Sequence, residues 1–142
     1  MIAFVDSSAL LKLFLRDEPG REAVRAAMAI GPRSALSRLA YVEVRSGLGA
    51  ARRSGRLAPA AHDQAVAALE LTWAEYDVIE VDEAVARRAG DLSDTYGLFA
   101  GDAIQLSSAL ALAREGVVLI AWDGRLRVAA AAAGLAVLPI SI

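Results

Sequence analysis

The stretch VVLIAW at residues 117–122 is apolar without interruption, starts just after Gly116, and ends at Asp123. A run this short, rich in β-branched residues and bounded by a glycine, reads as a strand buried on both faces. IAFV at 2–5 repeats the pattern and also ends on an acid, Asp6. Three weaker stretches, RSALSR (33–38), DVIEV (77–81) and LAVLPI (135–140), complete a set of five strands. Between them lie helical segments over 8–16, 19–28, 39–53, 57–73, 82–95, 102–115 and 124–133, with TYGLFAG (95–101) as a loop. On the first helix Leu10, Leu11 and Phe14 share one side, and Gly116 closes the sixth helix. Helices alternating with short apolar strands give an α/β fold with a mainly parallel sheet. In such sheets ligands bind beyond the carboxyl ends of the strands.

A chain of 142 residues with 56% apolar content is sized for one domain, residues 1–142, and is too apolar for disorder. With no cysteine, disulfides, thiolate catalysis and cysteine zinc sites are excluded, which fits a cytoplasmic protein. Asp6 interrupts the first apolar run too early for a signal peptide. The most membrane-like stretch, 128–142, is short and broken by Gly134 and Pro139, so no membrane association is expected. Net charge is −2, without a global basic signature for nucleic acid. Lys12 is the only lysine, a skew compatible with genome base composition or with selection for phosphate-binding guanidinium forks. RSGLGAARRSGR (45–56) reads as a solvated helix face and its end. His62, the only histidine, sits in a polar patch and reads as solvated surface.

Four acids fall on one rim of this fold. Asp6 and Asp123 directly follow strands, and Glu43 lies in the first turns of the helix after the second strand. Asp102 opens a helix that feeds strand 117–122. That helix runs antiparallel to the strand, so its N-terminus points to the same rim. Singly, Asp6 and Asp123 read equally well as helix caps and Asp102 as a favourable first-turn acid. Glu43 is flanked by Leu39 and Val42 on what reads as the inward face, where an unpaired carboxylate is costly. Together, carboxylates without basic partners must share protons or bind a cation. Their oxygens suit Mg²⁺ or Mn²⁺, and no residue set for zinc is present. With no histidine base at hand, the nucleophile would be a water activated by the cation.

FVDSSALLKLFLRDE, YVEVRSGL, GDAIQLSSALAL and AWDGRL occur in the order and spacing of PIN-domain ribonucleases. The likeness is greatest to the VapC-type toxins of toxin–antitoxin pairs and spans essentially the whole chain. The resemblance implies a parallel sheet of order 3-2-1-4-5 flanked by helices, and Mg²⁺- or Mn²⁺-dependent hydrolysis of RNA. By the same resemblance, Asp6, Glu43, Asp102 and Asp123 are the catalytic acids and Ser8 supports the first of them. Asp6 and Asp102 would bind metal directly, and Glu43 and Asp123 directly or through water. Gln105 departs from the pattern, where many relatives carry histidine. Arg16, Arg45, Arg52 and Arg53 are candidate contacts to RNA phosphates. A cognate antitoxin and a homodimer are the implied partners, and an apolar content of 56% fits such interfaces.

Two rival aspartate sites fit less well. A phosphotransfer receiver needs a lysine from a late strand, yet Lys12 lies on the first helix; an aspartate-nucleophile phosphatase needs an acid where Ser8 stands. A PIN-like module that binds RNA or protein without cutting remains the alternative.

Overall fold

A computed structural model describes residues 1–142. Five strands form one sheet in the order β3-β2-β1-β4-β5, and every pairing is parallel. They are β1 (Ile2–Val5), β2 (Arg33–Ser37), β3 (Asp77–Ile79), β4 (Val117–Ile120) and β5 (Ala136–Leu138). The two continuously apolar runs are β1, at the centre of the sheet, and its neighbour β4, and all eight of their residues are buried. They pair in register from Ile2 opposite Val117 to Val5 opposite Ile120.

Alternation along β1 sends its side chains into two cores. Ile2 and Phe4 join Leu106, Leu119 and Leu126 on one face, whereas Ala3 and Val5 join Leu10, Leu36, Val44, Leu48 and Leu69 on the other. The first core is covered by α5 (Glu83–Tyr96), α6 (Ala100–Leu110) and α7 (Gly124–Ala132). The second is covered by α1 (Ser7–Leu11), α2 (Arg21–Met28), α3 (Arg38–Arg53) and α4 (Pro59–Trp73). Burying each large aliphatic side chain contributes about 1.5–3 kcal/mol, so both layers are anchored on β1 and β4. No helix is long and apolar enough to cross a membrane.

Some boundaries differ from those read in the sequence. The first helix stops at Leu11 rather than continuing to residue 16. Lys12, Leu13 and Phe14 instead donate to the carbonyls three residues back, a tighter winding. Lys12 then folds its ammonium onto Glu18 (3.2 Å) and the Pro19 carbonyl (2.9 Å), tying down the turn that leads to α2. The sixth helix ends at Leu110, and Gly116 (φ 77°) closes the short 3₁₀ turn that follows. The inward stripe of α3 is Ala40, Val44, Leu48 and Ala51; Val42 is 60% exposed, contrary to its expected inward place. Glu43 therefore lies on the flank of that stripe. Close docking of α1 on α3 depends on Gly47, where an added Cβ would sit 2.8 Å from Leu11 Cδ2.

Candidate active site

Strand order reverses direction between β1 and β4, where β1 leads to one side of the sheet and β4 starts the other. Asp6 and Asp123 are the residues that leave this switch point. Asp6 is the N-cap of α1: its Oδ1 accepts from Ala9 N (3.0 Å) and from Ser8 Oγ (2.7 Å). The Ser8 hydroxyl in turn accepts from Trp122 N at 3.1 Å, so one side chain pins the first acid to the segment carrying Asp123. Asp123 caps α7 through Leu126 N (2.9 Å). The capping reading of both residues is thus correct, and neither cap uses the second carboxylate oxygen.

Asp102 lies in the first turn of α6 and Glu43 in the second turn of α3, helices from opposite layers that meet over the rim. Glu43 Oε1 accepts from Gln105 Nε2 at 2.8 Å. Gln105 sits three residues beyond Asp102, is 1% exposed, and has a buried Oε1 without a partner. Gly101 leaves open the ground beside Glu43, since a side chain there would begin 3.4 Å from Glu43 Oε2.

The four acids form an electrostatic group with Asp102 at its hub. Burial, aided by the charges of Asp123 and Glu43, raises the Asp102 carboxyl above its usual range; Arg125 opposes the rise. Asp6, 2% exposed, is pushed up to about 7, chiefly by burial and further by Asp102, against the hydrogen bonds from Ala9 and Ser8. As the side chains stand, no three of them converge tightly enough to grip an ion. Mg²⁺ does not require that, because it keeps several waters and is held through one or two carboxylates. An all-oxygen set carrying excess negative charge has the chemistry of a hard-cation site.

None of the four candidate arginines acts on these acids. Arg45 stacks on Tyr41 (5.7 Å), donates to its hydroxyl (2.8 Å) and approaches Glu70 (3.9 Å). Arg52 and Arg53 close the last turn of α3, about 15 Å along its axis from Glu43. Arg16 lines a cavity of about 310 Å³ with Asp17, Arg21 and Arg56 that includes none of the acids. The cation that reaches Asp102 is Arg125, and sequence reasoning missed it although it stands two residues after Asp123. His62 is not solvated as expected: its side chain, on α4, is only 13% exposed.

Comparison with known proteins gives one family. The PIN domain pattern matches residues 3–132. Ribonuclease VapC45 and Ribonuclease VapC49 of Mycobacterium tuberculosis are each 38% identical over 142 residues, covering 99% of this chain and 97% of theirs. A solved toxin–antitoxin complex from Klebsiella pneumoniae superposes with a TM-score of 0.62 at 25% identity, covering 85% of this chain and 86% of that one.

Proposed function

The chain belongs to the PIN-domain family, alongside VapC-type ribonucleases, and from that premise we propose that it is the toxin of a toxin–antitoxin pair, cutting RNA with Mg²⁺ or Mn²⁺. The observation that carries this reading is the crowding on Asp102, whose carboxyl is raised by burial and by two further acids. A group of this kind, with a single opposing arginine, is a functional-site signature more than a structural one.

Asp6 and Asp102 are the direct ligands in this reading, with Glu43 and Asp123 binding directly or through water. Ser8 fixes the orientation of Asp6, and Gln105 fixes that of Glu43. When bound, the cation supplies charge to polarise the scissile phosphate and activate water. Hydrolysis forms a new bond from water oxygen to phosphorus and breaks the bond to the 3′-oxygen. Either Glu43 or Asp123 accepts the proton the water releases, and the departing 3′-oxygen takes a proton from solvent to leave as a hydroxyl. Four ionised carboxylates would repel RNA, and filling the site removes that repulsion.

An antitoxin partner is inferred from the likeness to the Klebsiella pneumoniae complex. A homodimer and a cytoplasmic, single-domain protein complete the proposal; exposed Leu71 (80%) and Ile140 (89%) offer apolar surface for its interfaces. The test is incubation of the purified protein with structured RNA in Mg²⁺ or Mn²⁺, and again with chelator. Products that form with metal, vanish with chelator and return on metal addition are expected. RNA that is bound but never cut would instead indicate a non-catalytic binding module.

A further inference from the structure

Phe99 is absent from both hydrophobic cores. It occupies the N-cap of α6, where its side chain makes no capping bond and where Ser, Thr, Asp or Asn would be preferred, and it is 73% exposed. Its partner is Arg125, whose guanidinium lies 5.5 Å from the ring centroid. Arg125 is itself exposed and makes no ion pair or hydrogen bond within the chain. The pair lies beside the proposed reaction site: Phe99 stands three residues before Asp102, about 4.5 Å along the helix, and Arg125 two residues after Asp123 and close enough to Asp102 to act on its charge. A groove of about 610 Å³ continues from Arg125, bounded by Tyr96, Val128 and the bare backbone of Gly97 and Gly124.

We propose that Phe99 and Arg125 form a nucleobase platform, on which one unpaired base of the RNA stacks beside the phosphate to be cut. This rests on the ribonuclease reading above. An exposed aromatic ring and a guanidinium plane are the surfaces on which splayed bases stack. Arg125 has a second use, because its free fork carries the positive charge that a neighbouring phosphate requires in a group otherwise made of acids. A protein surface covering Phe99 and Val128 would not explain an unpaired arginine set between them and the carboxylates.

The test uses the full chain, an RNA hairpin with 2-aminopurine at the loop position flanking the cut, and Phe99→Ala, Phe99→Leu and Phe99→Trp. Binding is read from 2-aminopurine quenching with Ca²⁺ replacing Mg²⁺, and cleavage from kcat and KM in Mg²⁺. Phe99→Ala and Phe99→Leu should each weaken binding roughly 5- to 150-fold, with loss of the quench, while Phe99→Trp retains both. Calorimetric Mn²⁺ affinity and melting temperature should stay at the parent values, because the ring is exposed and carries no ligand atom. Parent-like binding and quench in Phe99→Leu would overturn the platform, since any apolar side chain then suffices. So would a fall in light-scattering mass for Phe99→Ala with unchanged RNA binding, which would assign the ring to a protein interface. A parent that quenches 2-aminopurine but cuts no RNA would overturn the ribonuclease reading and support the platform. A parent that does neither would overturn both.

Discussion

Two clusters of carboxylates in this molecule are treated in opposite ways. In the turn between α1 and α2, Asp17 and Glu18 meet Arg56 at 2.7 and 2.6 Å, and Lys12 adds a bond to Glu18. Hydrogen bonds from Arg56 hold both acids below their usual range, and Arg56 is raised in turn. At the rim, Asp6 is buried and Asp102 half-buried among other acids, and both are raised. The same residue types thus form a satisfied structural clasp in one place and an unsatisfied anionic group in the other. Two things differ: burial, the larger cause of the rise at the rim, is slight at the clasp, and the clasp has two basic partners for two acids where the rim has only Arg125 for four. In the proposed reading, that shortage of positive charge is what a divalent cation makes good.

The largest effect should come from deleting charge at the hub. Asp102→Asn keeps the shape of the side chain and removes the charge a hard cation needs, so RNA cleavage should fall to the no-enzyme level with the circular dichroism spectrum unchanged. Cleavage close to the parent rate would end the claim that Asp102 is a ligand.

Next comes the metal-free stability of the rim. Well below about pH 4, Asp6 is protonated whether the chain is folded or not. As pH rises to about 7, the unfolded carboxyl ionises first while the folded one keeps its proton. Its contribution therefore favours the fold at acid pH and is lost as pH rises through about 7, by on the order of 4 kcal/mol at most. Asn remains a good N-cap. In chelator, Asp6→Asn should therefore melt higher than the parent at neutral pH, and the gap should close toward pH 4. A parallel pair of Tm–pH curves would contradict this. The clasp has the reverse sign: depressed carboxyls stabilise above their unfolded range and lose that contribution as pH falls.

What the sequence made legible follows the same division. β1 and β4 were readable because both faces of each are buried, leaving an unbroken apolar run. Their acids were readable because a residue just after such a strand can only lie at its rim. The sheet order came from the family resemblance, since local pattern does not say which strands are neighbours. Long-range side-chain choices were not legible. Lys12 ends the first helix by reaching six and seven residues along the chain, and periodicity contains no sign of that. Val42 faces outward because the stripe starting at Ala40 sets the face of α3, one residue's rotation from the reading given. Arg125 went unnoticed among many arginines because its meaning comes from Asp102, twenty-three positions earlier.

Smaller effects test the clasp. Lys12 is buried, bonds Glu18 and the Pro19 carbonyl, and lies 5.1 Å from the Trp122 ring centroid. Lys12→Ala removes packing and two hydrogen bonds, and should cost on the order of 2 kcal/mol in denaturant unfolding. A cost near zero would mean the turn is held without it. Arg56→Gln should do least, because its ion pairs are exposed. A slight drop in Tm at low salt that vanishes at high salt is expected, and a large, salt-independent drop would show the clasp to be more than surface pairing.

The central claim is that the rim acids bind a divalent cation through Asp102. Thermal melts near pH 7.5, in chelator and in millimolar Mg²⁺ or Mn²⁺, test it on the parent and Asp102→Asn together. The metal should raise the parent's Tm, corresponding to roughly 2.7 kcal/mol at a hundredfold excess over Kd, and should leave the variant's where it is. Equal shifts in the two proteins, or no shift in the parent, would contradict the account.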